Sequence, residues 1–258
     1  MDLQLKGKTA IVTGGSAGIG LAITKALVAE GVTVTVPGRS KEKLDKALAE
    51  IKNVTVVVAD VATAEGADTL IQQVPDTDIL VNNLGIYEPK PFAEITDADW
   101  LKIFEANVLS GVRLSRHYFP KMLERKQGRV IFISSESGVM TPPEMIHYGV
   151  TKSSQLAISR GLAELTKGTG VTVNTIMPGP TRSEGIVDFL KNISSEKNPT
   201  PEQAEKEFFE KHRSSSLLQR LIESEEIASL VAYIASPLSA ATNGAAIRAE
   251  GGLLRSIS

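Results

Sequence analysis

The sequence predicts an α/β fold, a single doubly wound domain on a seven-stranded parallel sheet. Short runs of β-branched residues recur along the chain, and segments of helical period separate them. Most of the runs are apolar on both faces rather than alternating, as strands covered from both sides must be. In order they are "TAIV" at Thr9 to Val12, "VTVTV" at Val32 to Val36, "VTVVV" at Val54 to Val58, "DILV" at Asp78 to Val81, "RVIFI" at Arg129 to Ile133 and "VTVNTI" at Val171 to Ile176. "AAIRAEGG" near the end supplies the seventh. No repeat, low-complexity tract or Gly/Ser-rich linker interrupts the alternation, so residues 1–258 read as one domain.

The first run leads into "TGGSAGIG", Thr13 to Gly20, and then into the helix-like "LAITKALVAEG". Glycines at 14, 18 and 20 let the turn meet its helix tightly, and unpaired N–H groups at the helix start face the crevice. That is an anion site, and a pyrophosphate is its natural guest at the end of a first strand in a doubly wound sheet. Glycine is also favoured in such loops for packing alone. The spacing here is G-x-x-x-G-x-G, different from the common G-x-G-x-x-G.

One stretch departs from the alternation. From Thr181 to Ser216 there is no strand, only two helix-like pieces. The first is "EGIVDFLKNI", with Ile186, Val187, Phe189, Leu190 and Ile193. The second, "TPEQAEKEFFEKHR", opens on Thr200, Pro201 and acids in its first turn, a good N-terminal signal. "SSEKNPT" between them is turn-rich. An excursion this long reads as a helical substrate lid at about 181–216, with a surface helical hairpin as the plainer alternative.

Composition narrows the function classes. Hydrophobic residues at 42% and charged residues at 22% leave no case for disorder. A net charge of -2 gives no basic field for nucleic acid or an anionic membrane, so the expected partner is a small molecule. With no cysteine, disulfides and thiolate chemistry drop out, and His117, His147 and His212 lie far apart without ligand spacing, so no metal is expected. No segment reaches the ~20 apolar residues of a membrane span, and a cytoplasmic protein is expected.

The stretch "HYGVTKSS" sets Tyr148 four residues ahead of Lys152. On a helix the two share a face with Cβ atoms ~5–6 Å apart. A nearby ammonium lowers a phenol from its usual ~10, and such a pair can move a proton to or from a substrate oxygen. Pairs at this spacing also occur on the surfaces of many amphipathic helices.

Together, the glycine loop, the Tyr148/Lys152 pair and the signposts between them resemble the short-chain dehydrogenase/reductase family, its 3-oxoacyl-reductase-like members included, over nearly the whole chain. The resemblance implies a Rossmann-like fold and an oxidoreductase that interconverts a carbonyl and a secondary alcohol. Asn107 in "FEANV", Ser135 in "ISSESG", Tyr148 and Lys152 match the family's catalytic set. By that resemblance Tyr148 exchanges a proton with the substrate oxygen, Lys152 lowers the phenol pKa and bonds the nicotinamide ribose, Ser135 donates to the developing alkoxide, and Asn107 holds a water linking Lys152 to solvent. The plainer rivals are a strand-end cap for Ser135 and a partner for helix backbone groups for Asn107.

The implied cofactor contacts begin with Gly14, Ser16, Gly18, Ile19 and Gly20 in the loop. Asp60 and Val61 match the adenine contact, and Asn83 and Gly85 belong to "NNLG", where Leu84 replaces the usual alanine. Pro178, Gly179, Thr181 and Ser183 in "PGPTRS" match the segment that holds the nicotinamide carboxamide, with Ser183 at the usual threonine. Tyr148 and Lys152 complete the set. After the second strand, where NAD-using members carry an acid, the chain has Gly38, then Arg39 and Ser40. A guanidinium pairs bidentately with a 2′-phosphate that an aspartate would repel, so NADP(H) is expected over NAD(H). Ala17 stands where many NADP-using relatives carry a second basic residue, and Arg39 has the alternatives of capping its strand or pairing with Glu42.

The expected substrate is a small carbonyl compound or alcohol. Ile186, Phe189, Leu190, Phe208 and Phe209 suggest a partly apolar pocket, or else pack the excursion onto the body. Glu144, Met145 and His147 are further candidates for the same cleft. Arg129 matches one basic position near the entrance of carrier-protein reductases while Thr169 stands at the second, leaving 3-oxoacyl-[acyl-carrier-protein] reductase as the alternative activity. A non-catalytic NADPH-sensing protein is the alternative of another class, although it would be expected to lose part of the Ser-Tyr-Lys set. Gly149, Ser153, Ala157 and Gly161 form a strip of small side chains, for packing against the sheet or, as in similar proteins, against a second subunit of a homodimer or homotetramer.

Overall fold

Seven parallel strands lie in the order β3-β2-β1-β4-β5-β6-β7. In the computed structural model, which describes residues 1–257 and only the backbone of Glu184 and Asp188, they are β1 (Thr9–Val12), β2 (Thr33–Gly38), β3 (Val54–Val58), β4 (Ile79–Asn82), β5 (Gln127–Ile133), β6 (Gly170–Pro178) and β7 (Ala246–Ala249). The helices α1 (Gly18–Ala29), α2 (Lys41–Leu48), α3 (Ala64–Gln73), α4 (Asp97–Phe104), α5 (Ser110–Glu124) and α6 (Ile146–Glu164) connect them in turn. After β6 come α7 (Glu184–Ile193), α8 (Pro201–Lys211) and α9 (Ser224–Ala235). Strand order runs outward in both directions from the β1/β4 pair, so the connections after β1 and β4 diverge and open a crevice at the carboxyl edge.

The side-chain period of two explains why the runs are apolar throughout. Val12, Val81, Ile131 and Ile133 enter one core with Ile23 and Leu27 of α1 and Ala228, Val231 and Ile234 of α9. Their neighbours Ile11, Leu80, Val130 and Phe132 enter the opposite core with Leu70 of α3 and Leu114, Tyr118 and Phe119 of α5. Each strand therefore feeds both layers.

The excursion after β6 has a core of its own. Leu190 of α7, Ala204 and Phe209 of α8 and the later Leu221 are buried together. Thr200 starts α8 with a reciprocal cap: its Oγ1 accepts from Gln203 N at 3.3 Å, and Gln203 Oε1 accepts from Thr200 N at 2.8 Å. Arg182 ties the pair to its surroundings through Glu205 at 3.0 Å and Glu223 at 2.9 Å.

Two expectations are revised. Arg129 lies buried towards the amino end of β5, away from any entrance, because its guanidinium donates to the carbonyls of Gly128 and Gly170 at 2.9 and 2.8 Å and to Ser236 at 3.4 Å. The small-residue strip on α6 divides. Ser153 Oγ donates to Gly138 O at 2.6 Å and Gly149 packs under Thr141, but Ala157 and Gly161 are exposed. Among the described residues no helix is long and apolar enough to cross a membrane.

Candidate active site

A cavity of about 930 Å³ occupies the crevice where β1, β4, β5 and β6 end. Gly14, Ser16, Gly18, Ile19 and Gly20 form one wall. Gly14 adopts φ 64°, in the left-handed region, and a Cβ at Gly20 would overlap the Gly14 carbonyl, so loop and helix meet only if that residue is glycine. Ala17, the N-cap of α1, has no side-chain acceptor, which leaves the first-turn N–H groups and the positive helix end to a ligand. Thr13 fixes the loop to β4: its Oγ1 accepts from the N–H groups of Asn83 and Leu84 at 2.9 Å, and Asn83 Nδ2 donates to Thr13 O at 2.9 Å.

Asn83 and Gly85, and across the crevice Pro178, Gly179, Thr181 and Ser183, line the same cavity. Thr181 Oγ1 donates to Gly179 O at 2.9 Å, and Ser183 Oγ caps α7 by accepting from Ile186 N at 3.3 Å. Arg39, Ser40, Asp60 and Val61 are not brought into the cavity; they lie at the ends of β2 and β3. Val61 is buried, Asp60 Oδ1 accepts from Ala62 N at 3.1 Å, and Ser40 Oγ caps α2 by accepting from Lys43 N at 3.3 Å. Arg39 is exposed and pairs with no acid among the described residues; the ion pair of α2 is Lys41–Asp45. A side chain at Gly38 would press on the Leu44 methyl groups, which would have to shift to admit it.

Ser135, just past β5, and Tyr148, in the first turn of α6, stand together at the inner end of the cavity. Lys152 is one turn further on, buried, with Nζ 5.5 Å from the centre of the Tyr148 ring. Lys152 is close enough to favour the phenolate, but it does not set the net direction of the phenol pKa. Burial, then the Glu136 carboxyl, hold the Tyr148 phenol well above its usual value, with Ser135 opposing them. Lys152 itself is pushed down to about 8 by burial, against the pull of Glu136. Its Nζ is engaged elsewhere, donating to Ile133 O at 2.9 Å and Gln155 Oε1 at 3.3 Å.

Asn107 lies in a π-helical turn, Glu105–Leu109, between α4 and α5. Its Oδ1 accepts from Ile86 N at 2.7 Å, while its Nδ2 donates to Ile86 O at 2.9 Å and Thr151 Oγ1 at 3.0 Å. The backbone groups it satisfies belong to the segment after β4, not to a helix. The Asn107 carbonyl accepts from Gln155 Nε2 at 2.6 Å, and Gln155 Oε1 accepts from Lys152 Nζ at 3.3 Å, so the Gln155 carboxamide connects Lys152 to Asn107.

Of the apolar candidates, Ile186, Phe189 and Phe208 line the cavity, and all three also pack into the core of the helical pair, where Leu190 and Phe209 are buried. Met145 reaches the cavity, but His147 is buried edge-on to Trp100 at 5.9 Å, and Glu144 pairs with Arg213 at 3.6 Å. Three charged residues that sequence reasoning did not single out also line it: Arg182, which is tied to Glu205 and Glu223, and two others. Glu136 accepts a hydrogen bond from Ser135 Oγ and is buried, and Arg213, just past α8, holds its guanidinium 5.4 Å from the Phe208 ring. The only signal for Glu136 was a charge directly after Ser135; nothing local marked Arg213.

The chain belongs to the short chain dehydrogenase family, whose profile it matches over residues 8–193. It is an oxidoreductase of that family. The uncharacterized oxidoreductase YvaG of Bacillus subtilis (strain 168) is 49% identical over 263 residues and is covered in full, as is this chain. The 3-oxoacyl-[acyl-carrier-protein] reductase FabG of Rickettsia felis is 30% identical over 258 residues, 98% of this chain and 99% of that one. The crystal structure of L-sorbose reductase from Gluconobacter frateurii, complexed with NADPH and L-sorbose, superposes with a TM-score of 0.93 at 28% identity over 100% of both chains.

Proposed function

We propose that this oxidoreductase uses NADPH to reduce a ketone or related carbonyl to a secondary alcohol. The observation that carries the reading is that Tyr148 and Ser135 share one cavity with a glycine cradle built for a dinucleotide pyrophosphate. The residues fit such a cofactor: the first turn of α1 has no side-chain cap, and Arg39 stands exposed and unpaired by any described acid where a 2′-phosphate would lie. The NADPH complex of the L-sorbose reductase supports the same choice. In this reading Thr181 and Ser183 hold the carboxamide, Asn83 and Gly85 back the ring, Lys152 meets the ribose, and Ser40, Asp60 and Val61 flank the adenosine. When bound, the cofactor supplies the hydride that reaches the carbonyl carbon.

The chain's own residues manage the proton and the developing charge. Tyr148 is protonated at neutral pH and gives its proton to the carbonyl oxygen; burial makes that phenol a weaker acid, so the transfer needs support for the phenolate. As the phenolate forms, the Lys152 ammonium by the ring stabilises it, and Asn107 holds Lys152 in place through Gln155. Ser135 Oγ donates to the developing alkoxide, an interaction that strengthens in the transition state. The helical pair α7–α8 acts as the lid, with Phe189 and Phe208 excluding water.

Carrier-protein substrates are the weaker reading, because Arg129 is buried and unable to dock one. A homodimer or homotetramer formed through α6 completes the proposal.

The test is to follow NADPH and NADH oxidation over ketones, diketones and 3-oxoacyl thioesters, with Tyr148→Phe alongside. NADPH-preferring turnover is expected, and Tyr148→Phe should lower kcat by ~10²–10⁴ while still binding NADPH. Undiminished turnover in the variant would overturn the role of Tyr148, and preference for NADH that of Arg39. NADPH binding without any turnover would favour the sensing protein.

A further inference from the structure

Two buried charged groups in the cavity are not needed to hold the dinucleotide or to pass the proton. Glu136 is 5% exposed; one carboxylate oxygen, Oε2, accepts from Ser135, while Oε1 has only a long 3.4 Å contact from Ser137 Oγ. Arg213 is 11% exposed at its side chain. Its Nη1 donates to His212 O at 2.9 Å, its Nη2 lies 3.6 Å from Glu144 Oε1, and its buried Nε has no partner among the described residues. A buried donor without an acceptor is costly unless something in the cavity completes it. The surrounding walls, Phe189, Phe208 and Ile186, have no side-chain polar group to do so.

Resting on the reductase reading above, we propose that Glu136 and Arg213 form a substrate subsite for a hydroxyl group on the carbon next to the carbonyl, which makes neutral α-hydroxy ketones the substrate class. The placement follows from the bonds already present. Glu136 is one hydrogen bond from Ser135, and Ser135 is the group that meets the carbonyl oxygen. Oxygens on adjacent carbons lie about one hydrogen-bond length apart, so a hydroxyl beside a carbonyl held at Ser135 falls against the Glu136 carboxyl and donates to it. Arg213 Nε then donates to that hydroxyl oxygen or to the next one along the chain. A carboxylate in the same place fits poorly. It would lie against the Glu136 carboxyl, while Arg213 already faces Glu144 and the cavity's other guanidinium, Arg182, is paired with Glu205 and Glu223.

Hydroxyacetone, acetone and pyruvate differ at this one substituent and serve as probes. Each would be assayed with NADPH on the wild type and on Glu136→Gln, Glu136→Met and Arg213→Met, with NADPH fluorescence showing that each variant retains a folded cofactor site. A site that pairs with a substrate hydroxyl rejects the analogue lacking it, so the wild type should favour hydroxyacetone over acetone by roughly 10²-fold or more in kcat/KM, with pyruvate no better than acetone. Glu136→Met and Arg213→Met should each cut the hydroxyacetone-to-acetone ratio at least ~10-fold, and Glu136→Gln, which keeps an acceptor oxygen, should restore part of it. Because Tyr148 protonates both ketones, any change in its titration cancels in that ratio. Equal use of hydroxyacetone and acetone by the wild type, a preference for pyruvate, or variants that slow both ketones in proportion would overturn the subsite and leave the reductase standing. Failure to reduce any carbonyl while NADPH still binds would remove the reductase reading and the subsite with it.

Discussion

At Lys152 the local spacing and the surrounding structure pull in different directions. The i, i+4 geometry brings its ammonium to the Tyr148 ring, but burial lowers its pKa from 10.5 to about 8. Below about pH 8 the lysine is charged in both folded and unfolded chains, and the folded protein bears the full cost of burying that charge. As pH rises from about 8 towards 10.5 the folded chain releases the proton while the unfolded chain keeps it. The unfolded state then binds more protons, so this group's contribution to stability improves with pH across that window. Lys152→Met, which has no charge to bury, should therefore melt above the wild type near neutral pH by a margin that shrinks between about pH 8 and 10. Thermal melts without cofactor would measure it, and a margin independent of pH would show that Lys152 is not desolvated. The residue types of the site were legible in the sequence, but their electrostatics were not. The groups that set them, the Ile133 carbonyl, the Asn107 carbonyl and the Glu136 carboxyl, arrive from other elements.

At the scale of elements, periodicity and capping were enough. The strands fall on the predicted runs, and α7 and α8 begin at Ser183 and Thr200, whose hydroxyls cap them. What the pattern did not fix was the direction of each aromatic. Phe208 and Phe209 are successive residues on α8, about 100° apart around the axis; both enter a core completed by Leu221 from a later segment, and Phe208 alone of the two also borders the cavity. That core is separate from the two that cover the sheet. Truncating Phe209, which is 1% exposed, to alanine should cost about 3–5 kcal/mol. The loss should fall on the helical pair alone. Hydrogen exchange is expected to quicken across α7 and α8 and leave β1, β4 and β5 unchanged, with KM for the carbonyl rising more than the Kd for NADPH. Faster exchange throughout the sheet would show that the pair is not an independently opening lid.

The whole molecule raises the question of what covers α6. Two of its small residues, Gly149 and Ser153, pack within the chain, but Val150, Ala157, Gly161 and Leu165 lie exposed along the helix at successive spacings of seven, four and four residues. Val150 is 40% and Leu165 62% exposed, so an apolar stripe with a small-residue centre faces outward. In the resemblance this helix pairs across a subunit boundary, and small side chains at its centre are what let two backbones approach. Gly161→Arg separates the two uses of the helix. A Cβ there meets nothing within 4 Å, so the single chain has room for the side chain. Replacing a mid-helix glycine should even stabilise the helix by roughly 0.5–1 kcal/mol. Two copies packed through this stripe would have to bury two guanidinium groups against each other, which is strongly unfavourable without partners. Light scattering should therefore find the wild type as a dimer or tetramer and Gly161→Arg at a smaller mass, with its circular dichroism and NADPH binding retained. An unchanged mass would place the subunit contact on another face and leave the α6 stripe as ordinary exposed surface.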